Sequence, residues 1–147
     1  MQLAGKAVLL SIKPKYADLI ISGSKTVELR RSWPSNDIGT MVVYSSSPVQ
    51  KLTGIVIVAG IKECTFDQLW TVAQEHGGGV TYDELRDYIG TKSHAYGVML
   101  GKVFPAEVQI DPKEIFENFT PPQGFLYLGP NEFQRVLTTM FPSGVPL

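Results

Sequence analysis

The sequence predicts an α+β fold in which five or six short strands form a small mixed or antiparallel β-barrel, with helices inserted into it and flanking it. Three observations predict this fold. Apolar and β-branched residues recur in short runs, most runs follow one another without an intervening helix, and two helix-start signals stand together in mid-chain. The 147 residues contain no internal repeat and no linker, so we predict a single domain over residues 1–147.

The first half of the chain is predicted to contain one helix and four strands. An apolar run predicts a buried strand over residues 8–12. Pro14 then opens a helix, because the first turn of a helix does not need the N–H that proline lacks, and Gly23 ends it in a left-handed conformation. The other predicted elements of this half are strands at 26–30, 41–44 and 52–61 and a loop at 33–37.

The second half begins with two helices that carry the same start signal. Thr65 and Thr81 are each followed three residues later by a glutamine or glutamate, which is the capping-box pattern. The second of these helices is predicted to bury Leu85, Tyr88 and Ile89. The other predicted elements are a flexible glycine-rich turn at 76–79, a strand at 95–103, a short helix from 111, a strand at 125–128 and a helix at 131–140.

Charge is spread unevenly along a chain whose net charge is −1. Residues 1–40 contain six bases and three acids, whereas the remaining 107 residues contain seven bases and eleven acids. An anionic partner is therefore expected to bind locally, through the N-terminal third. The chain has too few cations to hold a long nucleic-acid duplex by phosphate contacts alone.

Composition also bears on compartment, membrane association and cofactors. No apolar run is long enough to span a bilayer, residues 1–7 lack the apolar stretch of a signal peptide, and Cys64 is the only cysteine, so we expect a cytoplasmic protein without membrane association. One cysteine and two histidines at no ligand spacing predict no metal site. We expect no cofactor either, because the glycines at 77–79 lack the lysine of a phosphate-binding loop.

One short segment contains charged residues of both signs. Lys25 stands just before a predicted strand in which Glu28 and Arg30 alternate with apolar residues. A lysine binds phosphate as a point charge, an arginine binds it with two hydrogen bonds, and a carboxylate accepts hydrogen bonds from a base. The pattern indicates either a nucleotide-binding cleft or a solvated edge with weak surface ion pairs.

The sequence GSKTVELR at 23–30 resembles the GxKxxExR signature of the ASCH domain, a PUA-like β-barrel. Segments at 11–16, 44–48, 95–98 and 121–125 are similar to those of bacterial stand-alone ASCH proteins, so the resemblance covers roughly residues 8–130. It implies a cleft between barrel and helices, lined by Lys25, Glu28 and Arg30, with a role in RNA binding or processing.

Other residues are candidates for the same cleft. Lysines and arginines next to the motif would extend its positive rim, strand-end serines offer hydrogen bonds, and single-stranded RNA needs an aromatic platform for its bases. Trp33 is a third platform candidate beside two tyrosines. The further ligand-binding candidates are Lys13, Arg31, Tyr44, Ser45, Ser46, Ser93 and Tyr96.

Three functions are compatible with this pattern. The first is binding of RNA or a modified nucleotide, with a regulatory role in RNA metabolism or transcription. The second is hydrolysis of RNA or of a modified nucleoside such as N4-acetylcytidine, with Lys25 and Glu28 as catalytic residues. Relatives with the amidohydrolase activity carry a threonine nucleophile at the position of Glu28, which disfavours that substrate. The third is protein interaction without nucleic acid, through partners that the sequence does not identify.

Overall fold

The computed structural model describes residues 5–34 and 37–146, so Ser35 and Asn36 of the predicted loop lie outside the described residues. Within them the chain forms six strands, four α-helices and a short 3-10 helix at Pro112–Glu114. The elements are β1 (Lys6–Ile12), α1 (Pro14–Ile21), β2 (Val27–Arg30), β3 (Ile38–Ser45), β4 (Lys51–Cys64), α2 (Phe66–Glu75), α3 (Tyr82–Ile89), β5 (Ala95–Ile110), β6 (Phe125–Leu128) and α4 (Pro130–Met140). The predicted α+β class is confirmed.

The six strands form one mixed sheet in the order β2-β5-β4-β3-β1-β6. Strands β1 and β3 run parallel, and every other neighbouring pair is antiparallel. The register between β4 and β5 shifts at three places, and such bulges bend and twist a strand. The sheet is barrel-like but not closed, so β2 and β6 are its edge strands.

Helices pack on the sheet over three apolar clusters. One cluster lies under α4 and contains Val42 and Tyr44 of β3. A second lies under α1 and contains Met41 and Val43 of the same strand, because successive residues of a strand face opposite sides. The third lies between β2, α2, α3 and the adjoining ends of β4 and β5. The part of the sheet that carries β2 therefore has its own helical cover.

Helices α2 and α3 begin as predicted from their capping boxes. The Thr65 backbone N–H donates to Gln68 Oε1 at 2.9 Å, and the Thr81 backbone N–H donates to Glu84 Oε1 at 2.9 Å. In return each threonine hydroxyl accepts the backbone N–H of that third residue. A cap of this kind stabilises a helix by about 1 kcal/mol.

No helix among residues 5–34 and 37–146 is long and apolar enough to cross a membrane.

Candidate functional site

A cavity of about 410 Å³ lies between the edge of the sheet at β2 and helix α3. Its walls come from the end of β1, the first turn of α1, strand β2 and one side of α3. Six charged side chains line it: Lys13, Lys25, Glu28, Arg30, Glu84 and Asp87. The structure thus gathers the three residues of the charged motif around one hollow.

Lys25 is the most deeply buried charged residue of this cavity, with 2% of its surface exposed. Its backbone N–H donates to the Leu19 carbonyl at the end of α1, at 3.0 Å, which holds the chain where it enters β2. The Lys25 ammonium donates to the carbonyl of Gly78 and lies 5.0 Å from the centre of the Tyr16 ring. These contacts fix the side chain inside the cavity, so the lysine does not belong to a solvated edge.

Burial lowers the pKa of Lys25 below its ordinary value of 10.5. Desolvation is the largest cause, because an ammonium loses its hydration when it leaves water. The nearby Glu28 carboxylate raises this pKa and the Arg30 guanidinium lowers it, and the lowering effects prevail. Lys25 therefore gives up its proton more readily than a lysine in solution.

The glycines at 77–79 bring their backbone close to the Lys25 segment. Gly77 has φ +62°, and a Cβ there would lie 2.2 Å from the Ser24 carbonyl oxygen. A Cβ on Gly78 would lie 2.9 Å from Cβ of Ala73. Only glycine fits this approach, which places the Gly78 carbonyl at the lysine. The sequence predicted only a flexible turn here, so this close approach is a role that the prediction missed.

Glu28 and Arg30 form an ion pair that is largely shielded from water. The Arg30 Nη2 lies 3.2 Å from Glu28 Oε2, and their side chains are 13% and 9% exposed respectively. Arg30 also donates from Nη2 to the carbonyl of Ser11 at 3.4 Å. Both residues turn towards the cavity because Val27 and Leu29, which alternate with them, are buried in the cluster under α2 and α3.

Helix α3 contributes side chains that the sequence did not assign to the site. Glu84, Asp87 and Tyr88 all line the cavity, and their spacing of three and four residues puts them on one side of the helix. Tyr88 was predicted to be buried, but it is 42% exposed because its ring faces this open space. The polar side chains at 84, 87 and 88 recur on one side of the helix, and this spacing was the signal in the sequence that could have identified them as cavity residues.

Tyr16, in the first turn of α1, lines the cavity close to both Lys25 and Glu84. Burial raises the pKa of the Tyr16 phenol, and the Glu84 carboxylate, which accepts a hydrogen bond from it, and Glu28 raise it further. The pKa of Glu84 itself is lowered, chiefly by hydrogen bonds from Thr81 and to a smaller extent by Lys15 and Lys13. The phenol is therefore kept protonated as a hydrogen-bond donor.

A second cavity of about 330 Å³ adjoins the first and shares Arg30 and Tyr88 with it. It lies in the gap between the two edge strands of the sheet, β2 and β6. Its other lining residues come from both sides of that gap: Leu10, Arg31, Ser32, Trp33, Lys92, Gln123, Gly124 and Phe125.

The candidate residues from the sequence divide into two groups. The structure brings Lys13, Lys25, Glu28 and Arg30 to the first cavity and Arg31 to the second. Five others line neither cavity among the described residues: Tyr44, Ser45, Ser46, Ser93 and Tyr96.

Three of these five residues lie at the end of β3 or directly after it. Tyr44 is buried in the cluster under α4, where its ring contacts that of Phe119 edge-on at 5.4 Å, because strand alternation turns it away from α1. Ser45 is 1% exposed and its hydroxyl has no partner among the described residues. Ser46 donates its backbone N–H to the Ile12 carbonyl at the sheet end.

Ser93 lies just before β5, and Tyr96 is the second residue of that strand. Ser93 is exposed and its hydroxyl is 3.2 Å from Nδ1 of His94. Tyr96 stands opposite Arg30 in the β2–β5 pair and opposite Glu63 in the β4–β5 pair, and the Glu63 carboxylate raises the pKa of the Tyr96 phenol.

Among residues 5–34 and 37–146 no three His, Cys, Asp or Glu side chains converge as metal ligands would.

A family model, a similar protein and a solved structure point to the same family. The ASCH domain model matches residues 10–109. An ASCH domain-containing ribonuclease of Zymomonas mobilis is 29% identical over 136 residues, which span 90% of this chain and 91% of that protein. The crystal structure of ASCH from Zymomonas mobilis has a TM-score of 0.83 at 28% identity, covering 90% of this chain and 94% of that one.

A more distant structure shares the fold alone. The N-terminal domain of McrB from Staphylothermus marinus has a TM-score of 0.53 at 9% identity, over 87% of this chain and 91% of that one. The family model covers most of the chain, and the Zymomonas structure has the same architecture. The chain belongs to the ASCH domain family.

Proposed function

We propose that this protein binds single-stranded RNA in the cavity beside β2 and cleaves the strand there. A ribonuclease that shares 29% of its residues over nearly the whole chain supports an activity on RNA. The observation that carries the proposal is the buried Lys25, which shares the cavity with a carboxylate and an arginine. A ribonuclease requires proton transfer and stabilisation of phosphate charge, and this group of residues supplies both.

Lys25 is the residue suited to proton transfer. A group is most effective as a general acid or base when its pKa approaches the working pH, and burial moves the pKa of Lys25 downward from 10.5. Buried groups with displaced pKa values are concentrated at functional sites. The Gly78 carbonyl orients the Lys25 amine. A small movement of this amine towards a bound phosphate would exchange the Gly78 carbonyl for a phosphate oxygen as its acceptor.

Arg30 is suited to holding the scissile phosphate. Its guanidinium has five donors, of which Nη2 is engaged by Glu28 and the Ser11 carbonyl while Nε has no acceptor among the described residues. A guanidinium held by a carboxylate on one side can still bind phosphate on the other. Glu28 thus orients Arg30 and raises the pKa of Lys25.

A cleavage assay tests the proposal. Short fluorescent RNAs that together contain every dinucleotide step are incubated with the protein in buffers with and without divalent cations, and products are resolved on denaturing gels. We expect cleavage, reduced in Lys25→Gln and Arg30→Gln by on the order of a hundredfold or more. The chemical form of the new ends identifies the nucleophile, because a 2′,3′-cyclic phosphate marks attack by the ribose hydroxyl and a 5′-phosphate marks attack by water.

A matched control excludes a general effect of charge. Lys113 is exposed in the 3-10 helix and lines neither cavity, and Lys113→Gln removes the same charge as Lys25→Gln. Circular dichroism checks that each variant is folded. Cleavage that survives undiminished in folded Lys25→Gln would contradict the proposed role of the cavity.

A second candidate is RNA binding without cleavage, and one observation favours it. Every member of the charged group already has a partner inside the protein, since Lys25 donates to Gly78 and Arg30 to Glu28. Such mutual pairing also describes a rigid recognition site. This alternative predicts salt-sensitive RNA binding that Lys25→Gln weakens, together with intact RNA after prolonged incubation.

A further inference from the structure

The second cavity differs from the first in the sign of its charge. The first is lined by three cations and three carboxylates, whereas the second has Arg30, Arg31 and Lys92 and, among the described residues, no carboxylate. Because Arg30 is already paired with Glu28, the excess positive charge in the gap between β2 and β6 comes from Arg31 and Lys92. An anionic group binds where cations are not already neutralised.

Two buried donors at this gap have no acceptor within the described part of the chain. They are Nε of Arg30 and Nε1 of Trp33, both on residues that line the second cavity. A buried N–H without an acceptor is unfavourable, and a ligand with phosphate or carbonyl oxygens would satisfy it. Both donors thus lie on residues that line the gap and have no acceptor of their own within the described residues.

Aromatic rings complete the lining. Trp33 packs against the apolar cluster under α1 and also lines the second cavity. Phe125 of β6 and Tyr88 of α3 line this cavity as well. Nucleic-acid bases stack on such rings irrespective of sequence. The volume of about 330 Å³ is at the lower end of the range of small-molecule sites, which suits a single nucleotide.

We propose that the two cavities hold consecutive nucleotides of one RNA strand, with Arg30 binding the phosphate that joins them. The second cavity takes the neighbouring base against Trp33 and Tyr88, and Arg31 and Lys92 bind that nucleotide's outer phosphate. Arg30 and Tyr88 line both cavities, so a strand passes from one to the other without crossing a ridge of other residues. This inference rests on the proposed function and adds that a dinucleotide is the smallest complete ligand.

The dependence of affinity on ligand length tests this inference. Calorimetric titrations in Lys25→Gln, in which cleavage is expected to be on the order of a hundredfold slower, compare uridine 5′-monophosphate with the 5′-phosphorylated diuridylate and its adenosine equivalents. Product analysis checks that each dinucleotide stays intact during the titration. We expect the dinucleotide to bind on the order of tenfold more tightly or better, as one stacked base and one phosphate contact provide. When Arg31→Gln or Lys92→Gln is added to Lys25→Gln the ratio of the two affinities falls towards one, whereas added Lys113→Gln leaves the ratio unchanged.

Fluorescence provides a second readout that a loss of fold would not imitate. The chain has two tryptophans, so Trp70→Phe leaves Trp33 as the only indole. Stacking of the second base should quench Trp33 when the dinucleotide binds, and much less when the mononucleotide binds. Trp33→Leu should reduce the affinity for the dinucleotide more than that for the mononucleotide.

The possible outcomes separate the two proposals. A dinucleotide that binds no more tightly than a mononucleotide, or an affinity ratio unaffected in Arg31→Gln and Lys92→Gln, would overturn the second subsite and leave the proposed function standing. Absence of binding by mononucleotide, dinucleotide and longer RNA alike, in the wild-type protein as well, would overturn the proposed function and this inference with it.

Discussion

Strands β2 and β3 differ in what their alternating residues face, although the sequence assigned residues of both to one cleft. β2 is an edge strand, so one of its faces packs under α2 and α3 while Glu28 and Arg30 face the cavity. β3 is an inner strand with apolar clusters on both faces. A polar or aromatic residue at its end, such as Tyr44 or Ser45, is therefore buried.

The buried polar groups of the two strands differ in whether they have partners. In the β2 region the charges are buried together, paired with one another and with backbone carbonyls. In the β3 region the hydroxyls of Ser45 and Thr40 are buried without partners among the described residues. Paired charges are held in fixed positions, whereas a buried hydroxyl without a partner lowers stability.

The largest effect is expected from the aromatic ring of β3. Tyr44→Ala should lower the free energy of unfolding by about 4 kcal/mol, because it removes a ring that packs on Phe119 inside the cluster under α4. Tyr44→Phe keeps the ring and should change stability by less than about 1 kcal/mol. Urea denaturation measures both. An alanine variant as stable as the phenylalanine variant would show that the ring is not packed as described.

The ion pair of β2 should give the next largest effect. Arg30→Met leaves the Glu28 carboxylate buried without its partner and should cost about 3 kcal/mol of folding free energy. The double variant Glu28→Gln/Arg30→Met removes both charges and should recover most of that loss. Denaturation curves of the single and double variants measure the coupling. Equal stability of the two variants would mean that water reaches Glu28 and shields its charge.

The sequence predicted the β2 side of the site because its signal is local. Lys25, Glu28 and Arg30 lie within six residues of chain, and the period of a strand places the last two on one face. The same alternation around apolar Val27 and Leu29 indicates which face is buried. No knowledge of the remaining fold is needed for this step.

The rest of the site depends on tertiary packing. Tyr88 looked like a core residue because it is aromatic and adjoins Ile89, yet the open cavity leaves its ring exposed. The close approach of Gly77 to Ser24 joins segments about fifty residues apart, which periodicity does not report. The gap between β2 and β6 exists only because the sheet stays open, and the sequence predicted a barrel without indicating where it opens.

A smaller effect concerns how stability changes with pH at Lys25. Its pKa is lowered in the folded state, so the unfolded chain binds more protons just below pH 10.5, and stability rises as pH increases through that window. The penalty is greatest below the folded-state pKa and disappears above 10.5. Subtracting the stability of Lys25→Met at each pH isolates this contribution, whose slope cannot exceed about 1.4 kcal/mol per pH unit for one proton. A difference that falls with rising pH would contradict the buried position of the amine.

The smallest effect tests whether the Ser45 hydroxyl is a buried group without a partner or a group that binds a ligand. Its hydroxyl is buried without a partner among the described residues, so Ser45→Ala should raise the free energy of unfolding by up to about 1 kcal/mol. Thr40→Val is a matched control on the same strand, because the Thr40 hydroxyl is also buried and unpaired. If Ser45→Ala instead weakens RNA binding without raising stability, the hydroxyl serves a ligand, as the sequence pattern suggested. In that case β3 would contribute to the cleft as β2 does, and the contrast between the inner strand and the edge strand would not hold.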